Sequence, residues 1–486
     1  MIQKLRKAIE GIFILALAFS CQQNNQVESP EAIEPTPTQE QLAWHNMEMN
    51  AFIHFTTNTF TDKEWGYGDE SPEVFNPTAL DVDQWMQTLK KAGFKGVILT
   101  AKHHDGFALY PSDYTEHDIT NSPYKDGEGD LVKEVAESAR EHGLKFGIYL
   151  SPWDRNRADY GETSYVEYYR NQLQEVFTNY GDIFEMWFDG ANGGDGYYGG
   201  ADEERRIDKQ NYYDWPTTLS MVEEIQPSVM FFSDAGPDLR WVGNEEGIGG
   251  KTNWNMISPD TLYAGKAGIG DILQTGSKDG TEWIPAEVNT SIRPGWFYHE
   301  HEDSLVKTPQ ELFQVYLQSV GRGSTLLLNV PPDKRGLFHE NDVEALLGMR
   351  RLIDSVFANN LAENAQISAS SYRGEKENYS ADNLIDGDPQ TYWTTNDNII
   401  QSSVEVNFEK EHEVNYVLLQ EYIKLGQRIK SFNVEAKVNE KWEQVVEGTT
   451  IGYKRILEIP SVKTKAIKIN FKDARGNPVV SNLEIY

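Results

Sequence analysis

Between about residues 45 and 357, short apolar runs alternate with amphipathic segments of helical period. The runs are AFIHF (51–55), GVILTAKHH (96–104), KFGIYLSPW (145–153), IFEMWFDG (183–190), VMFFSDAG (229–236), WIPAEVNTSI (283–292) and TLLLNVPP (325–332). The first five read as strands buried on both faces, as in a parallel sheet. Between runs, DVDQWMQTLKKAG and DLVKEVAESAREHG each open with Asp and close at Gly. The Asp carboxylate accepts the free N–H groups of a first helical turn, and Gly takes the left-handed conformation that ends the last. The α/β alternation predicts a (β/α)8-like, TIM-type barrel over residues 39–357, irregular in places, rather than an open doubly wound sheet. No glycine-rich phosphate fingerprint follows the first strand, which counts against a nucleotide fold.

Beyond residue 360 the texture changes. AQISASSYRGEKENYSADNLIDGDPQTYWTT is followed by SVEVNFEK, NYVLLQEYI, SFNVEAKV, AIKINFK and SNLEIY, period-two runs broken by turns. Residues 360–486 therefore read as a β-sandwich. No internal repeat stands out.

The N-terminus carries three basic residues within Met1–Lys7, then the apolar GIFILALAFS and Cys21. A basic start, a short apolar stretch and small residues before a cysteine form an export signal over 1–21, too short for a membrane span. Cys21 is the only cysteine, so no intrachain disulfide forms, and its place is that of a lipidated N-terminal residue. Residues 22–38, rich in Gln, Glu, Pro and Thr, read as a flexible tether. The expectation is an exported bacterial lipoprotein, periplasmic or on the outer membrane, whose contact with a membrane is the lipid anchor alone.

Composition narrows the partner. With 486 residues, 39% hydrophobic, the chain can fill more than one core. A formal net charge of −32 argues against nucleic acid and anionic membrane surfaces, which reward clustered Lys and Arg. A neutral small molecule or glycan suits such a surface better.

The polar residues sit where the strands end: His54, His103 with His104 and Asp105, Trp153 with Asp154, Asp189, Asp234, Glu287 and Asn329. In a barrel these ends converge on the face that carries the chemistry. Asp189, between an aromatic run and Gly190, is a carboxylate that can be aimed. The two adjacent histidines invite a zinc reading, but neighbours on a strand point to opposite faces and no HExxH follows. Hydrogen bonding to sugar hydroxyls fits them better, with one acting as an anchor. Glu64 beside Trp65, and Arg293, Trp296 and Tyr298 in NTSIRPGWFYHEHED, pair carboxylates with aromatic rings as carbohydrate sites do.

HF (54–55), EW (64–65), AKHHDGF (101–107), FGIYLSPW (146–153), WFDG (187–190) and RWVGNEEG (240–247) together resemble the α-L-fucosidases of glycoside hydrolase family 29. The resemblance implies Asp189 as nucleophile. A retaining hydrolase needs a second carboxyl about 5 to 5.5 Å away, for which Glu245, Glu246 and Glu287 are candidates. GNEEG looks like the acid/base loop of the branch acting on α-1,3- and α-1,4-linked fucose, which selects Glu245. The resemblance further implies His54, Glu64, Trp65, His103, His104, Tyr149, Trp187, Arg240 and Trp296 as substrate-binding, a fucosylated oligosaccharide or glycoconjugate of Lewis type as substrate, and no cofactor for catalysis. SADNLIDGDPQTYWTT resembles the discoidin-like (F5/8 type C, carbohydrate-binding family 32) domains, in which Asp382, Asp386 and Asp388 would mark a calcium loop suited to that hard cation. The domain's ligand, if it does more than pack on the barrel, and the oligomeric state are not legible.

Overall fold

A computed structural model describes residues 27–486. Eight parallel strands close into a barrel: β1 (Met49–Ile53), β2 (Gly96–Lys102), β3 (Lys145–Leu150), β4 (Glu185–Trp187), β5 (Met230–Ser233), β6 (Leu239–Trp241), β7 (Ala286–Ser291) and β8 (Thr325–Asn329). Closure occurs at β1, where Ala51 pairs with Val97 on one side and Leu328 on the other.

The expected strands are present, and the structure adds β6, which is only three residues long. No helix separates it from β5; the chain sidesteps through Asp234–Asp238 and resumes in parallel register, with Phe232 beside Leu239. Three residues after a turn carry too little periodicity to be seen in sequence.

The two capped helices form as read. Val82–Ala92 opens with the Asp81 carboxylate accepting from Gln84 N and closes on Gly93 at φ +93°. In Leu131–Glu141 Asp130 caps the start, and Gly143 follows at φ +69°. Their apolar faces join the large cluster between strands and helices. A second cluster fills the barrel itself: Phe52, Ile98, Tyr149, Trp187, Met230, Phe232, Leu239 and Leu327, with Trp44 of the preceding helix Gln39–His45 among them. The interior is packed side chain on side chain, so the open space lies above it.

The C-terminal unit contains one antiparallel sheet dominated by two long, bent strands, Ser402–Glu421 and Arg455–Ala474. It has its own core around Trp393, Val434, Ile467 and Ile469. It docks on the barrel through polar contacts: Gln427 Nε2 donates to Asn253 O and Gln427 Oε1 accepts from Asn255 N, both at 2.8 Å.

Residues 27–38, expected to be flexible tether, run instead along the C-terminal unit. Ile33 N donates to Leu425 O at 3.0 Å, and Arg373, Arg428 and Arg475 donate to the carbonyls of Glu28, Glu31 and Glu34. Backbone carbonyls paired with three guanidinium groups bind a polar segment that its composition leaves unmarked. The signal at 1–21 and the lipidation site Cys21 lie outside the described residues. Among the described residues no helix is long and apolar enough to cross a membrane.

Candidate active site

A cavity of about 350 Å³ opens at the C-terminal ends of the barrel strands. Its residues follow from the two-residue period of a strand. On β4, Glu185, Trp187 and, just past the strand, Asp189 point inward at successively higher levels, while Phe188 faces outward against Trp215 and Phe231. Glu185 is wholly buried, Trp187 forms part of the cavity floor, and Asp189 reaches the open space. The apolar run therefore serves as a rail that holds one carboxylate at a fixed height.

Asp189 Oδ2 accepts from Tyr149 OH at 3.0 Å and Oδ1 from Ala191 N at 2.7 Å. Desolvation pushes its carboxyl up to about 7; the Ala191 hydrogen bond opposes this, and the charges of Asp234 and Glu245 add to it. Gly190 is required by packing: a Cβ there would stand 2.2 Å from Asp234 Oδ2.

The histidines divide their two nitrogens. Asn329 donates its amide to Ser291 Oγ at 2.9 Å and Trp296 O at 2.8 Å, so its carbonyl oxygen accepts from His54 Nδ1 at 2.8 Å. Ser151 donates to Trp153 O at 2.6 Å, so its oxygen accepts from His104 Nδ1 at 2.7 Å. Each ring is left with a bare Nε2, that of His104 being 3.6 Å from Asp189 Oδ2. Burial pulls both imidazoles down to about 3, so they act as neutral acceptors at any working pH. Both His103 and His104 line the cavity, contrary to the opposite faces expected of strand neighbours, because β2 ends at Lys102 and the chain turns there. Behind them Asp105 accepts from the hydroxyls of Thr56 and Thr57 at 2.8 and 2.7 Å, joining the loops that follow β1 and β2.

The three candidate glutamates occupy three different places. Glu245 lines the cavity. Burial raises its pKa, the Trp296 side chain hydrogen-bonds it and lowers it, and the charge of Glu64 raises it. Its loop is set by Trp241, whose Nε1 donates to Asn244 O at 3.1 Å and Asn289 Oδ1 at 2.8 Å. Gly243, at φ +86°, begins the loop where a Cβ would meet Gly270 O at 2.8 Å. Glu246 points outward into a separate surface groove with Gln314 and Gln318. Glu287 lies a layer too low: it precedes Asn289, which lines the cavity, by two residues on β7. It is wholly buried, and its Oε1 accepts from Trp187 Nε1 at 2.9 Å.

Tyr149, Trp187, Trp65 and Trp296 line the cavity as expected, Trp65 half-exposed at the mouth. Two expected binding residues do not reach it. Arg240 is buried and gives its guanidinium to the carbonyls of Leu273, Ile284 and Trp254 and to Asn253 Oδ1, which braces the start of the Glu245 loop. Glu64 stands behind the wall, its carboxylate accepting from Trp296 N at 2.8 Å, Phe297 N at 3.2 Å and His299 Nε2 at 2.7 Å. An Arg or Glu beside an aromatic reads alike whether it holds ligand or loop; only the direction of the side chain separates the two. Phe52, Ala191 and Asn289 complete the lining without having been singled out. The inward period of β1 and β7 was the available signal for Phe52 and Asn289.

In the C-terminal unit, Asp386 accepts from Asp388 N and Thr391 Oγ1, Asp388 from Gln390 N, and Asp382 from Ser380 Oγ. These carboxylates serve their own turns, and among the described residues the three do not gather into a ligand cluster.

The family model for α-L-fucosidase matches residues 10–355, and that for the F5/8 type C domain matches residues 366–485. α-L-Fucosidase 1 of Arabidopsis thaliana is 41% identical over 466 residues, spanning 94% of this chain and 88% of that one. A glycoside hydrolase 29 family member from an unknown rumen bacterium superposes with a TM-score of 0.84 at 44% identity, covering 94% of this chain and 78% of that one. A Ruminococcus gnavus GH29 fucosidase in complex with fucose gives a TM-score of 0.84 at 33% identity, covering 94% and 96%. The matched length, the shared barrel and the carboxylate cavity at its mouth agree: this chain belongs to the α-L-fucosidases of glycoside hydrolase family 29 and carries a C-terminal F5/8 type C domain.

Proposed function

We propose that the chain is a retaining exo-α-L-fucosidase that removes terminal α-1,3- or α-1,4-linked fucose from Lewis-type glycoconjugates. The observation that carries the reading is that Asp189 and Glu245 line one small cavity whose walls offer neutral histidine acceptors and aromatic rings. A pocket this size suits one sugar ring, with the next residue of the glycan at the mouth beside Trp65 and Trp296.

In this reading Asp189 attacks the anomeric carbon while Glu245 protonates the departing glycosidic oxygen. Glu245 then removes a proton from water, which displaces Asp189 and frees fucose. The sugar hydroxyls donate to the bare nitrogens of His54 and His104, and the floor formed by Phe52, Trp187 and Tyr149 meets its apolar face. A sugar hydroxyl donating to the Asp189 carboxylate favours its ionised form, against the desolvation that raises its pKa. Protonation, attack and hydrolysis in this scheme are carried by the two carboxyls.

The test is kinetic, on an activated aryl fucoside with added azide. Glu245→Ala should lose turnover and regain it with azide, giving an α-fucosyl azide, because azide displaces Asp189 from the glycosyl-enzyme with a second inversion. Azide product from Asp189→Ala should instead be the inverted β anomer, formed by direct attack on the substrate, and Glu246→Ala and Glu287→Ala should show no azide product. Rescue of Glu287→Ala or Glu246→Ala instead would overturn the assignment of the acid/base. Linkage is tested separately: faster cleavage of an α-1,2-linked fucosyl disaccharide than of a Lewis trisaccharide would reject the proposed preference.

The proposal includes export and lipid attachment at Cys21, supported by the sequence of residues 1–21. Mass spectrometry of the N-terminal peptide from a bacterial host is the check; an unprocessed Met1, or a mature Cys21 without lipid, would reject it.

A further inference from the structure

Beside the cavity, on the outer side of the wall that carries Trp296, Asp62, His299 and His301 bring one carboxylate oxygen and two ring nitrogens within 4.8 Å of one another. The fucosidase chemistry uses none of the three. Asp62 ends the short helix Thr57–Thr61 in the left-handed conformation, His299 caps the helical turn Glu300–Leu305, and His301 lies within that turn. Segments more than 200 residues apart thus converge on one point.

We propose that this cluster is a binding site for a zinc-class divalent transition metal. The buried member is already arranged as a metal ligand. His299 gives Nε2 to Glu64 Oε1 at 2.7 Å, the carboxylate–histidine support that holds metal-bound imidazoles in orientation. Glu64 cannot swing away, because two backbone N–H groups of the same loop, Trp296 N and Phe297 N, also hold it. The other nitrogen, Nδ1, donates to Asp62 Oδ1 at 2.6 Å, so a metal binding there takes the place of the Nδ1 proton, which is released to solvent. His301 stands alongside with its ring centroid 5.4 Å from that of His299, exposed and free to turn toward the same point.

Two imidazoles and one carboxylate with a fourth side open to water form the donor set of zinc, and also suit copper and nickel. Calcium and magnesium, which demand oxygen ligands, have little here to hold them. Metal–ligand distances of about 2.0 to 2.2 Å would separate the Asp62 oxygen from Nδ1 by more than the present hydrogen bond. Asp62 is exposed at a helix end and can withdraw, while His299 stays fixed. Asp62 and Glu64 supply two negative charges near the point, and Lys334, which bears on Asp62, offsets one of them.

The experiment is calorimetric titration of the whole chain with Zn²⁺ in a non-chelating buffer, with Ca²⁺ as the contrasting ion. Wild type should bind one Zn²⁺ at this site and show no comparable heat with Ca²⁺. Asp62→Asn and His301→Ala, both at exposed positions away from the cavity lining, should each weaken zinc binding at least about tenfold. A second measurement needs no variant: Zn²⁺ should protect His301 from diethyl pyrocarbonate, read by peptide mass spectrometry. Zinc binding that is unaltered in both variants, or His301 modified equally fast with and without saturating Zn²⁺, would overturn the site.

Discussion

The indole of Trp187 donates to the carboxylate of Glu287 at 2.9 Å, in a part of the barrel closed to solvent. That one bond assigns Glu287 to the floor beneath the sugar pocket. Glu185, which accepts from Trp44 Nε1 at 3.0 Å, shares this layer, and burial together with the mutual repulsion of the two acids pushes Glu185 well up.

Glu287→Ala is therefore expected to destabilise the fold by about 1–3 kcal/mol, because the Trp187 N–H loses its only partner in a dry layer. Glu287→Gln keeps an acceptor and should stay within a few tenths of wild-type activity. Thermal melts and aryl fucoside kinetics of the pair measure both.

Gly190→Ala would place a methyl group against the Asp234 carboxylate, at 2.2 Å if nothing moved. The strand end carrying Asp189 must shift to relieve it. A displacement of about 1 Å at a reacting carboxylate costs on the order of 10²-fold in kcat/KM. The circular dichroism spectrum should be unchanged while that loss is measured.

The pH dependence has a definite sign. Asp189 works as a carboxylate, so kcat/KM falls as pH drops through about 7, and Glu245 works as an acid, so it falls again on the alkaline side. The charge of Glu245 helps raise the Asp189 pKa. In Glu245→Gln, assayed on an aryl fucoside with a good leaving group, the alkaline limb should vanish and the acidic limb should move to lower pH.

The same shift bears on stability. A carboxyl whose pKa rises from 3.8 to about 7 on folding opposes the folded state once it ionises. That penalty is absent below about pH 4, grows through the interval and is complete above about pH 7. Asp189→Asn should melt at a higher temperature than wild type at pH 8, and the difference should disappear at the acid end of the window.

Gln427 holds Asn253 and Asn255, and Asn253 in turn accepts from Arg240 at the foot of the Glu245 loop. Gln427→Ala leaves two buried backbone groups without partners, for a loss of about 2–3 kcal/mol in total. Lower thermal stability with KM on an aryl fucoside unchanged is the expected outcome.

Sequence alone determined the kind of each element and much of the site. Apolar runs and Asp and Gly caps are local signals, carried by the chain's own periods of 2.0 and 3.6, and they give the strands, the helices at 82–92 and 131–141, and the place of Asp189 at a strand end. Tertiary structure decided how deep each residue sits and what it meets. Both Glu245 and Glu287 are candidates in sequence, yet the loop after β6 lifts Glu245 into the cavity while its place on β7 leaves Glu287 beneath it. The same holds for Glu64 and Arg240, which turned out to grip loops, and for residues 27–38, held by three distant arginines. Depth and partnership depend on strand pairings that span hundreds of residues, and no local period encodes them.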